Sequence, residues 1–331
     1  MRARDVVITG LGTAVAGAGG PETLLRGPVA GGDDPVTRLR GPGLRYKDRA
    51  TRLALCAARD ALADAGLPEA LDAPEGTEGG GGPLVDGLRF GVVVSTNWGN
   101  VDTVCETSAT IHRAGYTATS PMLLPNTASN VTASWVAITH GLRGANVTLC
   151  NGPTSGLDAV HWARTLIAAG RLDHALVIGV EPVNEPVRRL VGTGGPGLFD
   201  GAVSLVAEAA PAAAARGARP LARVGPYARR ADPDAAVAAV RADEPAAPAR
   251  WYVPEGRPAG GDTGPAGLPA HDLSLRWGRS SGALGVLQCV AGTAELARTG
   301  QAAALASAGG EGDDGAAALL LLAATAAGAG A

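Results

Sequence analysis

The sequence predicts an α/β fold with largely buried strands, and three observations carry that prediction. Short apolar, β-branched runs alternate with longer stretches of helical periodicity. Glycines stand where helices would stop, at Gly66, Gly141 and Gly170. The chain has 331 residues, 46% hydrophobic and 18% charged, enough for one large domain or two medium ones. An apolar content near the globular norm excludes disorder of the whole chain.

The elements follow in order. Val6 to Thr9 reads as a first strand, closed by Gly10-Leu11-Gly12. Asp5 and the β-branched run argue for a strand over a signal peptide. The GxG lacks the third glycine and the acidic ribose ligand of a dinucleotide fingerprint. Residues 20–45, rich in Gly and Pro, read as a surface loop. Asp48 to Gly66 is the clearest helix: Ala50, Leu53, Ala54, Ala57, Ala58, Ala61, Leu62 and Ala65 recur at helical spacing, and their small size implies close packing. Residues 68–86 are a low-complexity loop.

Phe90 to Ser95 predicts a buried strand, and Asn97 to Tyr116 is helical in its middle. A helix runs from Ser129 or Asn130 to His140, either residue serving as N-cap. Strands follow at Ala145–Cys150, Ala175–Val180 and Val203–Ala207, with a helix at Thr154–Ala169 between the first two. After Pro211 the texture weakens. Only Trp251-Tyr252-Val253, a helix from Ser281 to Thr299 and a terminal strand Ala317–Ala323 stand out. The second half repeats the strand–helix–strand texture in shorter form, without visible identity to the first.

Composition excludes several function classes. Net charge is −3, from 28 basic against 31 acidic residues, and no basic stripe is visible, so nucleic acid is not an expected partner. Lys47 is the only lysine. Cys56, Cys105, Cys150 and Cys289 form no CxxC pair and no zinc spacing, which points to reduced thiols buried in the core, Cys150 among them, in a cytoplasm and to no metal. The apolar run Ala316 to Leu322 is too short to span a bilayer, so no membrane association is expected.

The strand Ala145–Cys150, the turn Asn151-Gly152-Pro153 and the helix opening Thr154-Ser155-Gly156 form a strand–turn–helix elbow. Such elbows hold a nucleophile at a helix N-terminus, where the dipole and free N–H groups stabilise an anion. Here the elbow residue is Pro153, which has neither a nucleophile nor an N–H.

At these residues the chain resembles a known family. VVITGLGTAV, DRATRLALCAARDALADAGL, the stretch 129–181 and GRSSGALG are similar to the β-ketoacyl synthases of the thiolase fold. The resemblance covers about residues 5–181 and is patchy afterwards. It implies a layered α-β-α-β-α fold of two pseudo-duplicated halves, 1–210 and 211–331, the second shortened. Active members carry a nucleophilic Cys and two His that stabilise a thioester enolate, with a Lys behind the second His. Carried over position by position, the nucleophile falls on Pro153. The first His falls beside Gly256, the second on Arg279, and the Lys on Ser274. A glycine-rich gating loop is only loosely echoed by Ser307 to Gly312. None of His112, His140, His161, His174 and His271 occupies a catalytic His position; His161 reads as a helix-face residue and His174 as a cap before a strand. Two readings stand for Arg279: it fills the old pocket by pairing with Glu255 or Asp262, or it is an ordinary surface residue.

Without Cys-His-His, the chain most resembles the chain-length factor, the non-catalytic β subunit of type II polyketide synthases. That resemblance implies a heterodimer with a ketosynthase α subunit, an acyl carrier protein reached through the complex, and no cofactor. It places Met122, Leu123, Asn130 and the strand residues Ala145, Asn146, Val147, Thr148 and Leu149 at the dimer interface. It places Val104, Cys105, Ser108 and Ile111 along an acyl tunnel, Val104 at its gate. The alternatives are a thiolase-fold acyltransferase or hydrolase using Cys150 or Ser155, and a purely structural homologue.

Overall fold

The computed structural model describes residues 4–41, 43–71, 85–192, 197–244, 246–257, 268–310 and 312–324. Strand β1 runs Val6–Val15, so the Gly10-Leu11-Gly12 triplet does not close it. The glycines are there because helix α1, Arg49–Asp64, lies directly on the strand. A Cβ on Gly12 would stand 2.1 Å from the Ala57 carbonyl, and one on Gly10 would stand 2.4 Å from that of Ala61. Small residues on both surfaces let backbone approach backbone. Asp48 caps α1 by accepting the Thr51 N–H at 2.7 Å. The stretch 20–45 is not a plain loop but holds 3-10 turns at Pro21–Thr23, Pro35–Arg38 and Leu44–Tyr46.

The first half continues with β2 (Phe90–Ser95), α2 (Val101–Ala114), α3 (Val131–His140), β3 (Asn146–Leu149), α4 (Ser155–Ala168), β4 (His174–Glu181), α5 (Glu185–Val191) and β5 (Gly201–Ala209). The second holds α6 (Ala210–Ala215), β6 (Ala222–Arg230), α7 (Pro233–Asp243), β7 (Pro248–Tyr252), β8 (Ala270–His271), α8 (Ser274–Trp277), α9 (Leu284–Thr299), β9 (Ala303–Ala308) and β10 (Ala316–Ala323). Most of the low-complexity segment 68–86 lies outside the described residues.

The strand order is β3-β2-β4-β5-β1-β6-β10-β9-β7-β8. Read from each end inward, the halves are the same: β3-β2-β4-β5-β1 against β8-β7-β9-β10-β6. The pairing sense matches too. In each half the first three strands run parallel and the next two join antiparallel. The duplication unseen in sequence is therefore present in topology. The two half-sheets pair at β1 and β6, through Val7↔Arg223 and Ile8↔Ala222.

Five layers result. Helices α1 and α3 cover the outer face of the first half-sheet, α7 covers that of the second, and α4 and α9 pack between them. Side-chain alternation shows both faces buried: on β10, Ala317, Leu319 and Leu321 enter the central core, while Ala318, Leu320 and Leu322 face α7. The two central helices touch at glycine. A Cβ on Gly156 would stand 2.6 Å from the Gly285 nitrogen, and one on Gly285 2.2 Å from that of Leu157.

Strands β6 and β9 and helix α7 were not expected from the sequence. Gly225-Pro226 interrupts β6 and reads as a break, but it sits at a register shift against β10, where a missing N–H costs no ladder bond. β9 is almost all alanine, which carries little strand propensity; burial on both faces decides its conformation.

One buried ionic cluster joins β1, β4, β5 and α6. Glu208 accepts from the Thr9 hydroxyl and from Arg216, whose Nε is 2.9 Å away, and lies 3.2 Å from His174 Nε2. His174, expected to cap the strand from outside, is thus its buried first residue. Burial alone would raise the Glu208 carboxyl, but Arg216, His174 and Thr9 hold it down to about 2, against an ordinary 4.5. A depressed carboxyl contributes stability that is complete above the unfolded value and lost as pH falls through the folded one. Urea unfolding across this acid range is expected to show that loss, up to about 3 kcal/mol, and Glu208→Gln to flatten it.

Candidate functional site

The fold brings the two central helices together at their N-terminal ends, because Gly156 and Gly285 touch within the first turns of α4 and α9. Pro153 lies in a 3-10 turn, Gly152–Thr154, so the α-helix opens at Ser155 and not at Thr154. Gly152 makes the turn with φ of +82°.

Asn97 ties this elbow to the start of α9. Its Nδ2 donates to the Gly152 carbonyl at 3.1 Å and to Ser281 Oγ at 2.7 Å. Its Oδ1 accepts from the Gly152 N–H at 3.2 Å and lies 3.3 Å from Ser155 Oγ. Ser155 donates to the Gly152 carbonyl at 2.7 Å and accepts from the Asn151 N–H at 2.8 Å, so its hydroxyl is spent closing the turn before α4. Among the described residues it has no base beside it, and Cys150, expected in the core, stands exposed just past the end of β3, as Cys105 does on α2. Ser281 is the only non-glycine residue with positive φ among the described residues, at 43°.

Converging helix N-termini concentrate unsatisfied N–H groups and positive dipole ends. Acids answer them here. Glu181, fully buried, accepts from the N–H groups of Asn97 (2.7 Å), Trp98 (3.1 Å) and Gly282 (3.0 Å) and from the Thr96 hydroxyl (3.1 Å). Burial pushes its carboxyl up to about 8 against these hydrogen bonds. Glu255 accepts from the N–H groups of Ser280 (2.7 Å) and Ser281 (3.1 Å), and burial raises it as well. Asp158 accepts from Asn151 Nδ2 (2.5 Å), Thr154 Oγ1 (2.9 Å), Arg229 Nη1 (3.0 Å) and the Tyr227 hydroxyl.

The motif positions of the second half lie around this point. The Gly256 N–H donates to Asp272 Oδ2 at 3.2 Å, and the N–H and Oγ of Ser274 donate to Asp272 Oδ1 at 2.8 and 2.6 Å. Arg279 pairs through its backbone with Gly197 and Phe199. Its side chain is 42% exposed, with Nε 3.9 Å from Glu255 Oε1, an ion-pair separation without a hydrogen bond. Asp262 and Glu311 lie outside the described residues. Ser307 is buried on β9, accepting from Trp251 Nε1 at 2.8 Å. His161 stacks on Tyr227 with ring centroids 4.1 Å apart, and His271 sits on β8 against Tyr252. No group of His, Cys, Asp and Glu among the described residues could hold a metal ion.

On the other side of the elbow, the chain leaves a face bare. No residue of α2 is buried. Val104 is 38% and Ile111 43% exposed, and Cys105 and Ser108 share that exposure. Met122 is 66% exposed and Leu123 half-buried. β3 ends the sheet order with one side unpaired; Ala145, Val147, Thr148 and Leu149 are half-buried, while Asn146 and Asn130 are exposed. Asn130 holds the N-cap position of α3 without a side-chain capping bond. Sequence reasoning missed Asn97, Glu181, Asp158 and Asp272. Only Glu181 leaves a trace, as a lone acid ending the apolar run ALVIGVE.

Comparison with known proteins agrees with this arrangement. Residues 33–193 match the family described as Beta-ketoacyl synthase, N-terminal domain. A 3-oxoacyl-[acyl-carrier-protein] synthase 2 of Rhizobium meliloti (strain 1021) is 31% identical over 128 residues, 39% of this chain and 28% of that protein. The protein of the same name from Vibrio harveyi is 28% identical over 99 residues, 30% of this chain and 24% of its own. The matched stretches thus span about a quarter of the length of these relatives. Among solved structures, the ishigamide ketosynthase/chain length factor superposes with a TM-score of 0.76 at 19% identity, covering 98% of this chain and all of that one. A type II polyketide synthase ketosynthase–carrier protein complex, AntDE:AntF, gives 0.75 at 15% identity over 97% of this chain and all of that one. A β-ketoacyl synthase from Burkholderia phymatum STM815 gives 0.69 at 18% identity over 97% of this chain and all of that one. Residues 33–193 are thus similar to the N-terminal domain of the β-ketoacyl synthases, and the chain as a whole shares the thiolase-like fold of these solved structures.

Proposed function

We infer that the chain is a non-catalytic subunit of a type II polyketide synthase, a chain-length factor that pairs with an active ketosynthase and shapes the acyl tunnel at their shared interface. One observation carries this reading: the elbow is intact in backbone but occupied by Pro153, while α2 and the β3 edge beside it lie uncovered. An unpaired strand edge flanked by exposed apolar side chains calls for another chain. Three features remove the chemistry. Proline supplies no thiolate and no N–H, the neighbouring Gly152 N–H is engaged by Asn97, and the family's imidazole positions hold Gly256 and Arg279. The solved neighbour named as a ketosynthase/chain length factor, and the one that includes an acyl carrier protein, support a ketosynthase partner and a carrier protein served through the complex.

Condensation should be absent from the isolated chain, and Pro153→Cys should not restore it, because the enolate-stabilising imidazoles are still missing. The assay is decarboxylation of malonyl-carrier protein, expected at the buffer rate for both forms. A rate clearly above buffer in either would contradict the reading.

Val104 is open on a helix that the chain itself does not cover. Facing the shared tunnel, it would set tunnel depth by its size. Val104→Trp is expected to shorten the products of the reconstituted synthase by one or more extension units and to leave the heterodimer intact. Unchanged lengths in an intact complex would place Val104 away from the tunnel.

A further inference from the structure

We propose that Asn97 is a positioning residue that sets the tilt of α2, and so the length of the acyl tunnel, without touching the acyl chain. The proposal rests on the chain-length-factor reading above for its second clause only. With no buried residue, α2 is not set by side-chain packing into the core; it rests on α5 and on the 3-10 turns Tyr116–Ala118 and Leu124–Thr127. Its N-terminal end is fixed by the segment that feeds it. Asn97 gives both amide protons, to the Gly152 carbonyl and Ser281 Oγ, and accepts the Gly152 N–H on Oδ1. Trp98 gives its N–H to the buried Glu181, and Gly99 gives its own to Thr96 Oγ1 at 2.9 Å. Asn100 donates to the carbonyls of Asn126 at 2.7 Å and Ala128 at 3.0 Å.

The anchor is rigid because its partners belong to three separate parts of the fold. Gly152 and Ser155 open α4, Glu181 ends β4, and Ser281 precedes α9. The lever is long. The 14 residues of α2 span about 21 Å at 1.5 Å per residue. A tilt of about 10° at the anchor moves the far end by roughly 3.5 Å, more than the length of about 2.5 Å of an extended two-carbon unit. A small change at Asn97 therefore becomes a change of one extension step at the far end of α2.

The native thiols provide a reporter. Cys105 on α2 and Cys150 at the elbow are exposed, while Cys56 and Cys289 are buried. Spin labels on Cys105 and Cys150 of the free chain read the position of α2 relative to the elbow. Asn97→Ala is expected to shift or broaden their separation by several ångströms. In the complex with a ketosynthase it is expected to keep the 1:1 assembly and total turnover within about twofold, and to spread the products over neighbouring chain lengths. Ser281→Gly serves if Asn97→Ala fails to fold: it removes one partner hydroxyl while suiting the positive φ at that position, and should give a smaller shift in the same direction. An unchanged label separation would overturn the anchoring role. A changed separation with an unchanged product profile would overturn the length-setting role. A wild-type chain that does not alter its partner's product lengths would instead overturn the chain-length-factor reading, and the label separation would still decide whether Asn97 anchors α2.

Discussion

The contact between Gly156 and Gly285 is the constraint from which the site follows. It lets the backbones of α4 and α9 meet inside the molecule, and so brings two helix N-termini to one point. Each end presents unsatisfied N–H groups and a partial positive charge. In the family that the chain resembles, such a point stabilises a reacting anion. Here Glu181 and Glu255 accept N–H groups of the turn that opens α9, Asp158 gathers side-chain donors beside α4, and the side chain of Asn97 bridges the gap between the two helices. The strand–turn–helix geometry is kept, and the chain's own acidic side chains accept the N–H groups beside it.

On the chain-length-factor reading, the value of this scaffold lies in its shape. The elbow, the end of β4 and the turn before α9 are all held by hydrogen bonds that cross between the halves or between layers. They support a face that the chain does not complete: α2, the segment holding Met122, and the β3 edge. A monomer gains nothing from an uncovered amphipathic helix beside an open strand edge, and both are liabilities in isolation. A partner of the same fold would cover both at once.

Much of the fold was legible because burial writes itself into periodicity. Helix α1 shows its alanine stripe, and β2, β4 and β10 show continuous apolar runs. β6 and β9 were not legible, since Gly225-Pro226 imitates a break and an alanine run imitates nothing in particular. The spacing of the elbow exposed Pro153, yet the network around it left no pattern. Asn97 reaches Gly152 across 55 positions and Ser281 across 184, and contacts of that range carry no local signal. The topological repeat showed only as a repeated texture, because it is kept in strand order and pairing sense but not in residues.

Hydrogen exchange at the β3 edge tests the central claim most directly. The chain is purified alone and in complex with a Cys-His-His ketosynthase, and amide exchange is followed over Asn146–Leu149 and Val101–Ala114. Strand pairing across the interface predicts protection of both segments in the complex, by at least about tenfold, with the already buried strands β4 and β5 unchanged. Equal exchange at Asn146–Leu149 with and without the ketosynthase would mean that the edge is not an interface, and would contradict the account.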